Sequence, residues 1–149
     1  MKRKALAYIL QPRQDGTPQL LFHQFDELPH YPVRLPGGGV ETLEDPVEAL
    51  YREIEEETGL TELILIRKLG VQRYYKPFIQ DDVERHDYLL RPKSRLPESW
   101  SFVVQGEGDD AGDQHSYLWL TAGSQRPIDP EHAEYLTANY IPEFFDLIK

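Results

Sequence analysis

Two hydrophobic periods alternate along this chain, and each change of period marks an element. Lys4 to Gln11 is apolar at nearly every position, as in a strand covered on both faces, and Pro12 to Pro18 closes it with a turn around Asp15 and Gly16. Gln19 to Phe25 predicts its hairpin partner. Asp26 to Pro32 is a loop rich in Pro, His and Tyr, leading through Val33, Arg34, Leu35 and Pro36 to three glycines. Further on, Glu62 to Lys68 and Val71 to Lys76 carry strand-type residues, with Gly70 as a bulge between them. A loop from Pro77 to Val83, a strand from Glu84 to Arg91, a loop from Pro92 to Pro97 and a strand from Trp100 to Gln105 follow. The connector Gly106 to Asp113, made mostly of glycines and acids, precedes a last strand, His115 to Leu120. Pro130 to Lys149 predicts a helix capped by Asp129 and kinked at Pro142.

The helical period is clearest between these strands. Asp45 is a natural N-cap, Pro46 suits the first helical position, Glu48 completes a capping-box spacing, and Gly59 suits the left-handed residue past the end. This predicts a helix from Pro46 to Thr58. Val47, Leu50, Tyr51, Ile54 and Thr58 form a largely apolar stripe that should face a sheet. Strands before, between and after two helices predict the α/β class, with a mixed sheet between helices, in one domain over residues 1–149.

A second stripe of the same helix holds Ala49, Arg52, Glu53, Glu56 and Glu57, while Glu48 and Glu55 point outward. Glu53 meets Glu56 and Glu57 at spacings where like charges cost roughly 0.2–0.5 kcal/mol each. The same glutamates crowd the helix C-terminus, where the dipole disfavours anions by about 0.3–1 kcal/mol. Arg52 is expected to offset part of this through Glu48 and Glu56. A divalent cation would reverse the sign of the remainder, and hard oxygen donors with no cysteine in the chain point to Mg²⁺ or Mn²⁺ rather than zinc.

These residues also resemble a known signature. Gly38, five residues, Glu44, seven residues, Arg52-Glu53-Ile54, one residue, Glu56-Glu57, one residue and Gly59-Leu60 are similar to the complete Nudix box. The resemblance implies an α/β/α sandwich and a pyrophosphohydrolase that cleaves a nucleoside diphosphate linked to another moiety. It further implies that Glu53, Glu56 and Glu57 are metal ligands, joined by the carbonyl of Gly37. Arg52 would orient its glutamate neighbours and Glu44 would brace the corner before the helix. The family recruits its general base from the box or from a separate loop. Glu107, between two glycines in the acidic connector, is the candidate, with Asp109, Asp110 and Asp113 as rivals. Ala49 is small within the stripe and is expected to leave room for a phosphate.

Substrate contacts are expected from Arg34 as a phosphate clamp and from Tyr74, Tyr75, His86 or Tyr88 on the middle strands. His86 and His115 are lone strand histidines, a setting in which metal ligation is uncommon. Trp100 and Trp119 are expected in the core.

Composition narrows the partners. A formal net charge of −10 disfavours DNA and anionic membranes, so a polyanion must be received by a metal and a few basic residues. The start, Met1-Lys2-Arg3-Lys4 followed by ALAYIL, has an apolar run too short for a signal peptide, so it reads as a first strand in a cytoplasmic protein. The leading expectation is a small-molecule nucleotide substrate. The alternatives are an RNA 5′-end pyrophosphohydrolase and a catalytically silent nucleotide sensor. These patterns do not encode whether the chain works alone or as a homodimer.

Overall fold

A computed structural model describes residues 1–145 of the chain. The strands are β1 (Lys2–Pro12), β2 (Pro18–Phe25), β3 (Gly37–Gly39), β4 (Leu63–Lys76), β5 (Asp81–Pro92), β6 (Ser99–Val103) and β7 (Gln114–Leu120). The helices are α1 (Pro46–Thr58) and α2 (Pro142–Phe145). The sheet is mixed and seven-stranded, in the order β4, β5, β1, β2, β7, β6, with β3 also paired to β1. Among the named strands of the described residues, β1 and β5 are the one parallel pair. This is the α/β/α arrangement expected of the Nudix fold, although the second helical layer is slight.

β1 is central because its two faces serve two cores. Ala5, Ala7 and Ile9 pack with Leu50 and Ile54 of α1, whereas Leu6 and Tyr8 pack with Tyr135, Ile141 and Phe144 on the other side. Leu50 and Ile54 are fully buried, and burial of each such side chain stabilises by about 1.5–3 kcal/mol. The bulge expected at Gly70 is present as register shifts between Leu65 and Arg67 and between Lys68 and Gly70, so the two predicted segments form one strand, β4.

β1 and β2 pair only from Leu10 to Pro12 and then diverge. The segment 34–39 fills the wedge between them. Arg34 exchanges both backbone hydrogen bonds with His23, the Ala7 amide donates to the Pro36 carbonyl, and Gly37 to Gly39 pair with Leu6 to Lys4. The wedge becomes the floor of a cleft.

The continuous C-terminal helix is corrected by the structure. Asp129 does cap a turn, its carboxylate accepting from the Glu131 amide, but the turn is a 3-10 helix covering only Pro130–His132. The reason lies in competing donors. The Arg85 guanidinium donates to the Glu131 carbonyl and the Tyr8 hydroxyl to the His132 carbonyl, oxygens that an α-helix would use for its own ladder. Helix resumes only at Pro142, and residues 146–149 lie outside the described residues.

Candidate active site

The helix α1 begins and ends as its caps dictate. The Asp45 carboxylate accepts from the Val47 amide at 2.8 Å, and Gly59 takes φ 81°, its amide donating to the Glu55 carbonyl. Glu48 is exposed and, among the described residues, makes no capping-box bond. The next three C-terminal carbonyls are also satisfied. The Gln105 amide donates to Glu56, the Tyr117 hydroxyl to Glu57, and the Trp100 indole to Thr58. β6, β7 and the connector therefore clamp the end of the helix that carries the glutamates.

Arg52 organises the corner. It forms a two-bond fork with Glu44 at 2.9 Å each, donates to the Gly39 carbonyl at 2.9 Å, and reaches Glu53 at 3.0 Å and Glu56 at 3.2 Å. The expected pairing with Glu48 does not form, because Arg52 turns toward the loop before the helix. The arginine beside it holds the Glu44 carboxyl down at about 2. Glu44 thus braces the corner as the resemblance implied.

Glu57 is treated differently. Its side chain is 6% exposed, and its donor among the described residues is the Gly37 amide at 3.1 Å. Burial pushes its carboxyl well above the ordinary carboxylate range, and burial also raises Glu53 despite Arg52. Glycines make this packing feasible. A Cβ on Gly38 would fall 2.3 Å from a Glu53 carboxylate oxygen, and one on Gly106, where φ is 91°, would fall 2.7 Å from the Glu56 carboxyl. Both glycines lie against carboxylates that any side chain would displace.

A cleft of about 170 Å³ opens beside this helix end, lined among others by Gly37, Gly38, Glu57 and Asp110 and by Lys4, Arg34 and Arg85; Glu53 and Glu56 are not part of its lining. Arg34 lines this cleft. Its Nε lies 2.9 Å from Asp129 and one Nη lies 3.7 Å from Glu131 and 3.1 Å from His132 Nε2. Tyr74 stands behind that wall, its hydroxyl donating to Glu131 at 2.6 Å. His86 points the other way, between Glu84 at 2.9 Å and Lys68 at 2.8 Å, and does not line the cleft. Glu107 is exposed and also outside the lining, whereas its rival Asp110 is within it. Ala49 is fully buried, so the room expected beside it is filled by packing. Trp100 and Trp119 pack against the first core at its margin.

Sequence reasoning missed Lys4, Arg85, Asp87, His23, Glu131 and His132. Arg85 is 1% exposed and holds Asp87 through bonds of 2.9 and 3.1 Å. A period-two count would have found it, since Val83, Arg85, Asp87 and Leu89 share the buried face of β5. His23 and His115 stack with centroids 4.5 Å apart, and burial pushes His23 down to about 3. Asp129, Glu131 and His132 approach within 4.8 Å, but Arg34 and Lys76 already neutralise their carboxylates, so this group has no charge left for a cation. Glu53 and Glu56 share Arg52 with Glu44, and Glu57 has no ion pair among the described residues; their oxygen donors suit a hard divalent ion in kind, although their ligand atoms are not gathered within 4.8 Å of one another.

The family model for the NUDIX domain matches residues 1–137, and the chain belongs to that family. It is 29% identical over 99 residues to an RNA pyrophosphohydrolase of Francisella tularensis subsp. mediasiatica, a match spanning 59% of this chain and 61% of that relative. Two solved structures share its fold. A MutT NUDIX hydrolase from Burkholderia pseudomallei is 22% identical, with a TM-score of 0.59 over 99% of this chain and 98% of that one. An Ap4A hydrolase from C. elegans is 18% identical, with a TM-score of 0.65 over 98% and 96% of the two chains.

Proposed function

We propose that the protein is a divalent-metal-dependent pyrophosphohydrolase acting on a phosphoanhydride bond of a small nucleotide derivative. The observation that carries this reading is the glutamate cluster beside Gly37 and Gly38: Glu57 is buried with a single amide donor, and Glu53 and Glu56 share one arginine. Glu53, Glu56 and Glu57, with the Gly37 carbonyl, would hold Mg²⁺ or Mn²⁺, which supplies charge neutralisation and Lewis acidity at the phosphate oxygens. Arg52 fixes the rotamers of Glu53 and Glu56 while leaving Glu57 free of any ion pair. Gly38 and Gly106 keep the carboxylates close to the backbone, and Tyr117, Trp100 and Gln105 hold the helix end steady. Arg34 offers a guanidinium to a phosphate on the facing wall. Proton removal from the attacking water falls to the connector, where Asp110 lines the cleft and Glu107 lies three residues before it.

The match to an RNA pyrophosphohydrolase supports a second reading, an RNA 5′ end as substrate. The net charge of −10 weighs against a long polyanion. The retained box carboxylates weigh against a silent sensor. No helix among the described residues is long and apolar enough to cross a membrane. The test is turnover of a nucleotide panel, including 5′-triphosphorylated RNA, read as released phosphate or pyrophosphate. Chelation should abolish it and Mg²⁺ or Mn²⁺ restore it, with zinc inferior; full turnover in excess chelator overturns the reading.

A further inference from the structure

The wall facing the glutamates is built from cations, and all but one of them have carboxylate partners. Arg85 is paired with Asp87, Arg34 with Asp129 and Glu131, and Lys76 with Glu131 at 2.9 Å. Glu131 is further engaged by the Tyr74 hydroxyl. Lys4 lines the same cleft and has no carboxylate within ion-pair distance among the described residues. The lining of the cleft holds three cations, Lys4, Arg34 and Arg85, and three carboxylates, Glu57, Asp110 and Glu131, and among these cations Lys4 alone has no ion pair within the described residues.

The placement of Lys4 follows from its strand. Lys4 pairs with Gly39 on one side and Arg85 on the other, and it shares a face with Leu6 and Tyr8. Its backbone is therefore anchored, the residue lines the cleft, and its side chain lies within reach of Lys76. Burial lowers the ammonium's pKa, and Lys76 and Arg34 lower it further, Glu131 opposing them. A half-buried ammonium beside like charges is costly unless an anion joins it.

We propose that Lys4, together with Arg34, forms a phosphate subsite separate from the glutamate cluster, and that the preferred substrate is a small nucleotide carrying three or more phosphates in a row. The proposal rests on the pyrophosphohydrolase reading and adds the substrate class. Glu57 lines the same cleft as Lys4 and Arg34, so a ligand held there meets the buried glutamate and both cations. Two phosphates at the glutamate cluster leave Lys4 facing an uncharged sugar in a sugar-linked diphosphate, but facing a third phosphate in a nucleoside triphosphate or a dinucleoside polyphosphate. Charge complementarity selects the longer phosphate chain.

Two measurements separate this proposal from the reading beneath it. In excess chelator, where the glutamates repel anions, calorimetry should show inorganic tripolyphosphate binding the unmodified protein. Lys4→Met should weaken that binding at least about tenfold, the loss expected for a charge-assisted contact, and Lys4→Arg should restore most of it. With Mg²⁺, the ratio of kcat/KM for ATP or diadenosine tetraphosphate to that for ADP-ribose should fall by a similar factor in Lys4→Met, chiefly through KM. The ATP and diadenosine tetraphosphate arms tell a terminal phosphate from a bridging one. Thermal melts of both variants confirm folding. Tripolyphosphate binding that is absent, or unchanged in Lys4→Met, overturns the subsite even if every nucleotide is hydrolysed. Binding that depends on Lys4 in a protein with no turnover retains the subsite and discards the pyrophosphohydrolase reading.

Discussion

The two walls of the cleft handle charge in opposite ways. On the α1 side, Glu53 and Glu56 share one arginine with Glu44, and the most buried of the glutamates, Glu57, has an amide in place of a cation. On the facing wall, Arg34, Lys76 and Arg85 each hold a carboxylate, and Asp87 is wholly buried yet doubly bonded to Arg85. A buried ion pair broken by removing one partner typically costs about 3–5 kcal/mol, so the facing wall is built to persist. The glutamate side has no such pairing for Glu57 among the described residues.

The largest test of that contrast is Glu57→Gln. A glutamine oxygen can still accept from the Gly37 amide, so what is lost is the charge. Turnover should fall by more than the roughly 10–100-fold typical of residues that merely support a metal ligand. In chelator the variant should melt higher, by an amount worth roughly 0.5–1.5 kcal/mol, and should gain less on adding Mg²⁺. A lower melting temperature in chelator would mean that the Glu57 charge has a structural role, and the contrast between the walls would collapse.

Next in size is the general base. Replacing the responsible carboxylate should lower kcat by about 10²–10⁴ while leaving the melting temperature nearly unchanged. Asp110 lines the cleft and Glu107 does not, so Asp110→Asn should have the larger effect. The reverse order would show that the connector moves on substrate binding; no change in either would assign the base to the box.

Stability against pH offers a smaller test with opposing signs. In metal-free protein Glu53 and Glu57 have raised folded values, so their contribution is full below the ordinary value of 4.5 and is lost as pH rises through the folded ones. Glu44, held down to about 2 by Arg52, contributes above 4.5 and loses that contribution as pH falls toward 2. Melting temperature in chelator should therefore decline on both sides. Glu57→Gln should flatten the rise-in-pH limb and Glu44→Gln the acid limb. An unchanged profile in Glu57→Gln would show that its carboxyl is not the one that titrates.

The smallest effect belongs to Glu48, which is exposed and, among the described residues, in no ion pair. Glu48→Gln should change stability by less than about 0.5 kcal/mol and leave kcat intact, in contrast to Glu44→Gln on the other side of the N-cap. A clear loss in Glu48→Gln would revive the capping box that the structure does not form.

By itself the sequence determined α1 to the residue, because Asp45, Pro46 and Gly59 act through local backbone chemistry that needs no distant partner. It also determined the glutamate stripe, since helical spacing alone puts Glu53, Glu56 and Glu57 together, and it placed nearly every strand to within a few residues. Arg34 was legible from its position before the glycines. Tertiary structure decided the rest. Whether Glu131 and His132 belong to a helix depended on Arg85 and Tyr8, which approach from β5 and β1 and take their carbonyls. The wedge between β1 and β2 brings Lys4, His23 and Arg34 to one cleft across long stretches of chain, and no local pattern records such a divergence. His86 rather than Arg85 drew attention because a histidine is chemically conspicuous, whereas the pleat sends alternate side chains to opposite faces and gave the cleft to Arg85.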